Sequence, residues 1–250
     1  MKIEEVIKEK YLYSKKKNIF KFCYFYFQYL KSLLKRKKTY SNWGVDLIIK
    51  NIFRNKKKGF YVDVGCNHPF LNNHTLLLHK SGWSGINIDL DYNSIDMFNY
   101  FRKKDINLQY AISDSNDEVE LFFYHNRAAK NTISKNFGSG AKSIKKIKTI
   151  TLNQVLDINN IKSHIDFLTI DVEGNEMNVL KGFDLYKYNP TLIMLEFIEP
   201  AVKEFYDKNI QRVQNSEIYK YLITNNYKLI NWNHDDLLFI SNDYKKHLDY

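Results

Sequence analysis

Two acidic residues stand at the end of a mainly apolar run in the second half of the chain. The run Ile165–Asp171 ends on one carboxylate, Glu173 adds a second, and Gly174 follows. Such a run predicts a buried strand, and glycine allows a tight exit from it. Paired carboxylates can hold a hydroxyl, a cation or an amino group, and one of them can act as a general base. Capping and turn geometry would explain Gly174 and one acid, but not both acids.

A further acidic residue lies much earlier in the chain, in a similar setting. Asp63 belongs to the apolar run Phe60–Val64, which leads into Gly65 and a short polar loop. In a doubly wound sheet, such a loop lies at the carboxyl end of a strand, where ligands bind, and glycine lets the backbone approach a ligand closely. The three glycines of a dinucleotide fingerprint are missing. The loop therefore favours a ligand without a pyrophosphate, although this pattern alone is common in α/β proteins.

The next apolar run, Gly85–Asp89, also ends on a carboxylate. A carboxylate in this place can accept hydrogen bonds from both hydroxyls of a ribose. Asp91 is an alternative for that role, and Asp89 could instead cap the helix that follows. The run after it, Leu108–Ile112, ends in small and polar residues that suit the edge of an adenine ring. Together these strand ends predict one ligand site.

Short β-type runs alternate with helical segments from Phe60 onward, which predicts βαβ units and a largely parallel sheet. An extra strand is predicted at Glu118–Tyr124, and a mobile basic loop at Lys130–Lys148. The predicted strands of the sheet are Phe60–Val64, Gly85–Asp89, Leu108–Ile112, Ile165–Asp171, Thr191–Glu196, Lys228–Trp232 and Leu237–Ser241. The predicted helices are His74–Ser81, Ser94–Arg102, Asn175–Lys181 and Ser216–Asn225.

Charge divides the chain near its first sixty residues. Residues 1–60 hold 17 Lys and Arg against 4 Asp and Glu, a net charge of +13, whereas the remaining 21 basic and 24 acidic residues give −3. We therefore predict a basic, aromatic, helical extension over residues 1–58 and one α/β domain over 59–250. The uneven charge argues against a protein that coats nucleic acid. Two cysteines, Cys23 and Cys66, predict neither a disulfide framework nor a zinc site.

The extension contains an aromatic run that is too short and too interrupted to span a membrane. As a helix, it would gather one apolar stripe between two lysine clusters, formed by Phe20, Cys23, Phe27, Leu30 and Leu34. Two interpretations stay open. The stripe packs on the domain or in a homodimer, as most aromatic stripes do, or it lies on an anionic membrane surface.

These acidic blocks, in this order, resemble the FkbM family of methyltransferases. Leu168–Gly182 is similar to that family's hydrophobic-K-I-D-V-E-G-x-E-x-x-V-L-K-G stretch, and Val62–Asn67 resembles its D-x-G-A-N loop. The run from His74 and Thr75 through Gly82–Asp89 resembles a subgroup with T…GW-x-G-I-N-hydrophobic-acid, and Asp105–Ile112 continues the match in register. The resemblance covers Phe60–Ser241, and four matched blocks are specific evidence.

The chain departs from the family pattern at four places. Cys66 replaces a common alanine, Leu90 replaces a frequent proline, and His68 stands where the subgroup has a small polar or acidic residue. Thr169 stands where the family usually has a lysine. The last change puts any role of that lysine in substrate binding or catalysis in doubt for this chain.

The resemblance implies an α/β, Rossmann-like class I methyltransferase fold, with a mostly parallel seven-stranded sheet and helices on both faces. It implies S-adenosylmethionine as cofactor and O-methylation of a hydroxyl on a sugar, a glycan or a small metabolite. The cofactor would contact Asp63, Gly65, Cys66, Asn67, Asp89, Leu90, Ala111, Ile112 and Asp171. The catalytic candidates are Glu173, His74 and Asp171, and the acceptor would contact His68, Thr75 and Glu196. No metal ligands are assigned; a divalent cation between Asp171 and Glu173 stays open, without specific support in the residues.

Two other functions stay open at this point. A nucleic-acid methyltransferase could use the basic extension, but the chain lacks an N-P-P-Y type motif, and its basic charge is detached from the acidic strand ends. A non-catalytic, membrane-associated binding protein could use the same scaffold. We expect a cytoplasmic protein, peripheral on the inner membrane face if the extension binds lipid, with no nucleic-acid partner.

Overall fold

The computed structural model describes residues 3–14, 17–34, 39–124, 131–161, 164–197 and 209–244. Within these ranges, no helix is both long and apolar enough to cross a membrane. The strands are β1 Phe60–Val64, β2 Ser84–Asp89, β3 Ile106–Gln109, β4 Ala111–Ser113, β5 Glu118–Phe123, β6 Ser143–Thr151, β7 Phe167–Ile170, β8 Leu192–Glu196, β9 Tyr227–Asn233 and β10 Asp236–Ser241.

A seven-stranded sheet forms the centre of the fold, in the order β3-β2-β1-β7-β8-β10-β9. The first five of these strands are parallel, β10 runs antiparallel to β8, and β9 runs antiparallel to β10. The chain moves outward from β1 through β2 to β3 and then returns to β7 on the other side of β1. This reversal places a crevice at the carboxyl ends of β1 and β7, the usual ligand site of an open α/β sheet.

Helices cover both faces of the sheet. Successive strand residues point to opposite faces, so Tyr61 joins one buried cluster and Val62 joins the other. The helices are α1 Ile3–Tyr13, α2 Lys17–Leu34, α3 Val45–Ile52, α4 Leu76–Lys80, α5 Tyr92–Phe101, α6 Leu152–Ile158, α7 Glu176–Lys181, α8 Leu185–Tyr188, α9 Ile210–Asn215 and α10 Glu217–Thr224. The predicted α/β architecture with a mostly parallel seven-stranded sheet is confirmed.

One helix of the segment 1–58 belongs to the core of the sheet. Val45, Ile49 and Phe53, in and just after α3, are buried against Phe167 of β7 and Met194 of β8. The core of the α/β domain therefore begins before residue 59, because this face of the sheet needs the helix to exclude water.

Two predictions about the middle of the chain are wrong. Leu108–Ile112 is not one strand: β3 ends at Gln109 in the large sheet, and β4 starts at Ala111 in a separate three-stranded sheet of order β4-β6-β5. Lys130–Lys148 is not a loop throughout, because its last residues begin β6, which pairs with β5 from Ser143 onward. Residues 125–130 lie outside the described part of the chain.

Helices α1 and α2 pack on α5 at the edge of the domain. Tyr11, Tyr24 and Phe25 are buried together with Met97 of α5. Of the stripe for which packing and membrane contact stayed open, only Phe20 packs against this cluster among the described side chains. Cys23 and Leu30 are exposed, Phe20 and Phe27 are half-buried, and the side chain of Leu34 lies outside the described ones. The two cysteines do not pair: Cys23 is exposed and Cys66 is buried.

Candidate active site

The crevice at the carboxyl ends of β1 and β7 brings Gly65 against Asp171. Gly65 has a φ of +85°, and a Cβ atom on it would lie 1.8 Å from the Asp171 carbonyl oxygen. The amides of Gly65 and Cys66 both donate to the Ile88 carbonyl, at 2.8 and 3.1 Å. Only glycine can occupy this position, because any side chain would push the loop after β1, which we name the first loop, away from the loop after β7, the second loop.

Asp89, at the end of β2, fixes the loop that follows β1. Its carboxylate accepts hydrogen bonds from the backbone amides of Asn67 and Asp91, each at 2.8 Å. The cap of α5 is Asp91, whose side chain accepts from the Ser94 amide at 3.1 Å. Asp91 therefore caps the helix, a role that the sequence had left open for Asp89, and the Asp89 carboxylate binds the backbone of the first loop.

A cleft of about 740 Å³ opens beside these strand ends, and we name it the first cavity. Seven of the nine residues predicted to contact a cofactor line it: Gly65, Asn67, Asp89, Leu90, Ala111, Ile112 and Asp171. Sequence reasoning missed several further lining residues, among them Ser94, Tyr110, Asn131, Ile133, Val172 and Asn175. Its walls thus combine the four carboxylates of Asp89, Asp91, Asp171 and Glu173 with apolar and aromatic side chains.

A second cavity of about 760 Å³ adjoins the first. The two share four lining residues, Gly65, Asn67, Asp171 and Glu173. Its remaining walls are mostly polar: Asn42, Trp43, Asp63, Cys66, Asn72, Asn73, His74, Glu196, Asp235 and Asp236. Glu173 and Asp171 therefore stand where the two cavities meet.

The turn that carries Glu173 has a strained backbone, which hydrogen bonds from neighbouring residues stabilise. Glu173 has a φ of +56° and Gly174 a φ of +92°. A non-glycine residue in this region costs of order 1–3 kcal/mol, which the surroundings must offset. The buried Glu176 carboxylate accepts from the amides of Val172 and Gly174, at 3.1 and 3.0 Å, and Thr132 donates to the Glu173 carbonyl at 2.7 Å. These bonds fix where the Glu173 side chain leaves the backbone.

Three carboxylates gather at this turn. One oxygen each from Asp171, Glu173 and Glu196 lie within 4.8 Å of one another, a donor set that could hold a divalent cation. Burial, followed by the nearby Asp171 and Glu173 charges, raises the pKa of Glu196 to about 11. Burial and the Glu173 charge also raise the pKa of Asp171 well above its usual value. A protonated Glu196 that donates to the Asp171 carboxylate satisfies this pair.

His74 lines the second cavity. Its Nε2 atom is 3.9 Å from Oδ2 of Asp236, beyond hydrogen-bond distance. Burial lowers the pKa of His74 to about 4, so its imidazole is neutral at neutral pH. The ring can accept a proton from a bound hydroxyl, but as a weaker base than an ordinary histidine.

Asp63 does not line the first cavity. It is buried, and it accepts from Thr75 Oγ1 at 2.8 Å and from Asn73 Nδ2 at 3.5 Å. Burial raises the pKa of Asp63 to about 6, although the hydrogen bond from Thr75 and the charge of Arg102 act in the opposite direction. Asp63 anchors the loop after β1 and lines the second cavity, and its predicted contact with a cofactor stays a prediction.

Three other residues that were predicted to contact a ligand are buried in or beside the loop after β1. Thr75 is fully buried and lines neither cavity. His68 is buried, lines neither cavity, and accepts from the amides of Phe70 and Leu71 at 3.0 and 3.2 Å. Cys66 is buried and lines only the second cavity. The contacts predicted for Thr75 and His68 with an acceptor do not fit these positions, since loop folding uses both side chains.

Sequence reasoning missed Arg102, which ties this loop together. The Arg102 guanidinium is buried and donates to Thr75 Oγ1 at 2.8 Å, Asn73 Oδ1 at 2.6 Å and the Pro69 carbonyl at 2.9 Å. An arginine at the end of a predicted helix gave no sign of burial, because such residues usually lie in solvent.

The comparisons with known proteins agree with this geometry. The family described as Methyltransferase FkbM domain matches residues 63–229, from β1 to β9. This range includes both loops, the three gathered carboxylates and most of the sheet. No curated protein matches the chain.

Proposed function

Because the chain belongs to the FkbM methyltransferase family and is a methyltransferase, we propose that it binds S-adenosylmethionine in the first cavity and methylates a hydroxyl of a sugar or small metabolite held in the second. One observation carries the proposal: the two cavities meet at Gly65, Asn67, Asp171 and Glu173. A group transferred at this junction passes between two ligands that approach from different sides.

The residues of the first cavity fit the parts of S-adenosylmethionine. The Asp89 carboxylate, at the end of β2, suits the two ribose hydroxyls. Leu90, Tyr110 and Ile112 offer the apolar and aromatic surfaces that an adenine ring needs. Asn67 and Asp171 lie at the end where the two cavities join and suit the amino acid portion. When bound, this cofactor supplies a methyl group activated by the adjacent sulfonium.

The second cavity suits an acceptor with several hydroxyl groups. Trp43 is exposed at its edge, and its ring stacks on His234 with 4.2 Å between centroids. The Trp43 carbonyl accepts from Asn233 at 2.9 Å, which fixes the backbone here. An aromatic face beside amides and carboxylates is the usual combination for a polar ring with an apolar face. A sugar has these properties.

We assign the role of general base to Glu173. The acceptor oxygen takes the methyl carbon as the carbon–sulfur bond breaks with its electron pair going to sulfur, and the hydroxyl proton passes to the base. Glu173 stands at the junction, on a turn that fixes its position, whereas Asp171 is engaged by Glu196. A positioned base contributes about 10²–10⁴-fold to the rate. His74 is the second candidate, and the structure favours Glu173 because His74 lines only the second cavity.

The charge of the second cavity argues against a nucleic-acid substrate. Its described lining holds six carboxyl groups, of which Glu196 is protonated, and no lysine or arginine. Nucleic-acid sites instead neutralise phosphates with basic side chains. The hypothesis of a non-catalytic binding protein is dropped, since the family makes the chain an enzyme.

Mass spectrometry of cell-surface glycans tests the acceptor class. Cells with the wild-type gene, without the gene, and with the Glu173→Gln gene should be compared, with Glu120→Gln, an exposed position, as the matched control. We expect glycans that carry an added methyl group only with the wild-type and control genes. Identical glycan masses in all four strains, with methylation found on RNA instead, would contradict the assignment of a sugar acceptor.

A further inference from the structure

Helix α2 is fixed to the methyltransferase domain through one face. Tyr24 and Phe25 are buried, Lys21 Nζ lies 2.6 Å from Asp96 Oδ1, and the Tyr11 hydroxyl donates to the same carboxylate at 3.1 Å. The helix also reaches the first loop, since the rings of Tyr29 and Phe70 lie 5.9 Å apart. The position of α2 on the domain is therefore defined by packing, an ion pair and ring contacts.

The opposite face of α2 is apolar and faces outward. Ile19 is 62% exposed, Phe22 55%, Tyr26 52% and Leu30 37%. We name these four residues the exposed stripe. Their spacing of three, four and four residues puts them on one side of the helix. Phe22 and Tyr26 stack on each other at 6.0 Å. A helix on the surface of a soluble domain normally has polar residues on its outer side, so an apolar outer face indicates a partner.

The positive charge around the exposed stripe indicates which kind of partner it binds. From Lys10 to Val45 the chain holds ten Lys and Arg and no Asp or Glu, with Lys15–Lys17 before the stripe and Lys35–Lys38 after it. Such a segment attracts anionic surfaces. A second copy of the chain would bring two equally basic segments together, which like charges oppose. The lysines would attract a nucleic acid as well, but a nucleic acid has no apolar interior into which isoleucine and leucine can insert.

We propose that the exposed stripe inserts into the surface of an anionic lipid bilayer, with α2 lying in the plane of the membrane. Aromatic and aliphatic side chains on one side of a helix with basic residues at both ends match the pattern of interfacial helices. This contact leaves Tyr24 and Phe25 in the domain, so the catalytic domain stays folded on the bound helix. Because α2 touches the first loop, the acceptor cavity is carried close to the bilayer.

Sedimentation of the full-length protein with lipid vesicles tests the proposal. The vesicles contain phosphatidylcholine alone or phosphatidylcholine with phosphatidylglycerol, at low and high salt. We expect the wild type to bind the anionic vesicles and to lose binding at high salt. The double variant Phe22→Ser/Tyr26→Ser should bind at least about ten-fold more weakly, because two aromatic side chains no longer insert. Tyr186→Ser, which changes a 79% exposed tyrosine on α8, is the matched control and should bind as the wild type.

Unchanged S-adenosylmethionine affinity and thermal unfolding of the double variant establish that it is folded. As an independent measurement, Phe22→Trp should gain fluorescence that brominated lipids quench. Three results would overturn the proposal: a wild type that ignores anionic vesicles at low salt, a double variant that binds as the wild type, or a wild-type dimer that the double variant turns into a monomer. Stripe-dependent binding to RNA in place of vesicles would also overturn it.

Discussion

Replacing Arg102 by methionine should destabilise the domain by about 3–5 kcal/mol, the usual cost of removing one partner from a buried charged network. Arg102 is 1% exposed and donates to Thr75, Asn73 and the Pro69 carbonyl. Thr75 and Asn73 in turn donate to the buried Asp63 carboxylate, whose pKa the charge of Arg102 lowers. The variant keeps the apolar volume but leaves this carboxylate without its cation.

Part of this loss of stability arises because the Asp63 carboxylate no longer has a cation nearby, and a double-mutant cycle measures that part. Asp63→Asn removes the buried negative charge, so Arg102→Met should cost less in an Asp63→Asn background. We expect a coupling free energy of at least about 1 kcal/mol in the double-mutant cycle, within the range found for residues of one network. The control Lys104→Met changes an exposed residue two positions away and should stay within about 0.5 kcal/mol of the wild type.

Urea denaturation followed by circular dichroism at neutral pH measures these free energies of unfolding. S-adenosylmethionine affinity should fall together with stability in Arg102→Met, because the network anchors the loop that contains Asn67. The reasoning is refuted if Arg102→Met unfolds within about 1 kcal/mol of the control, or if the two substitutions are additive.

Three further outcomes are expected. Glu173→Gln should lower methyl transfer about 10²-fold or more while S-adenosylmethionine binding stays near the wild-type value; a loss of binding with normal turnover per bound cofactor would move Glu173 to the cofactor site. The raised pKa of Asp63, about 6 in the fold against about 4 unfolded, favours the folded state below pH 4, and this contribution is lost as the pH rises through 6. The wild type should therefore lose about 3 kcal/mol relative to Asp63→Asn between pH 4 and pH 7; parallel stability curves would show that this pKa is not raised. Because the proposed transfer uses Glu173 as its base, it should persist in EDTA, and restoration of lost activity by Mg²⁺ would identify Asp171, Glu173 and Glu196 as metal ligands.

The strand ends were predictable from the sequence because parallel strands deliver their carboxyl ends to one edge of the sheet. Asp89 and Asp171 both line the first cavity, as their places at the ends of two apolar runs indicated. Gly65 was predictable for the same reason, and the contact with the Asp171 carbonyl explains why glycine is required. The sequence did not reveal that Asp63 turns away from this cavity, since a residue inside a strand can point to either side.

Loop-dependent roles could not be predicted in the same way. Arg102 and Glu176 act on backbone and side-chain atoms of loops, and their partners are fixed only when the loops have folded. On α2, apolar residues occur on all sides, so the periodicity gave two candidate faces and did not show which one packs. Around the start of β6, four lysines and two glycines over residues 138–148 suggested a loop, although Ile144 and Ile147 already offered the apolar positions of a strand.

Calorimetric titration of the full-length protein with S-adenosylmethionine tests the central claim most directly. The wild type should bind at one saturable site. Asp89→Ala should bind at least about ten-fold more weakly, because the loss of a charge-assisted hydrogen bond costs about 1.5–3 kcal/mol. Asp184→Ala, a substitution at an exposed helix cap, should bind as the wild type. No binding by the wild type, or equal affinity in a folded Asp89→Ala variant, would contradict the assignment of the first cavity to the cofactor.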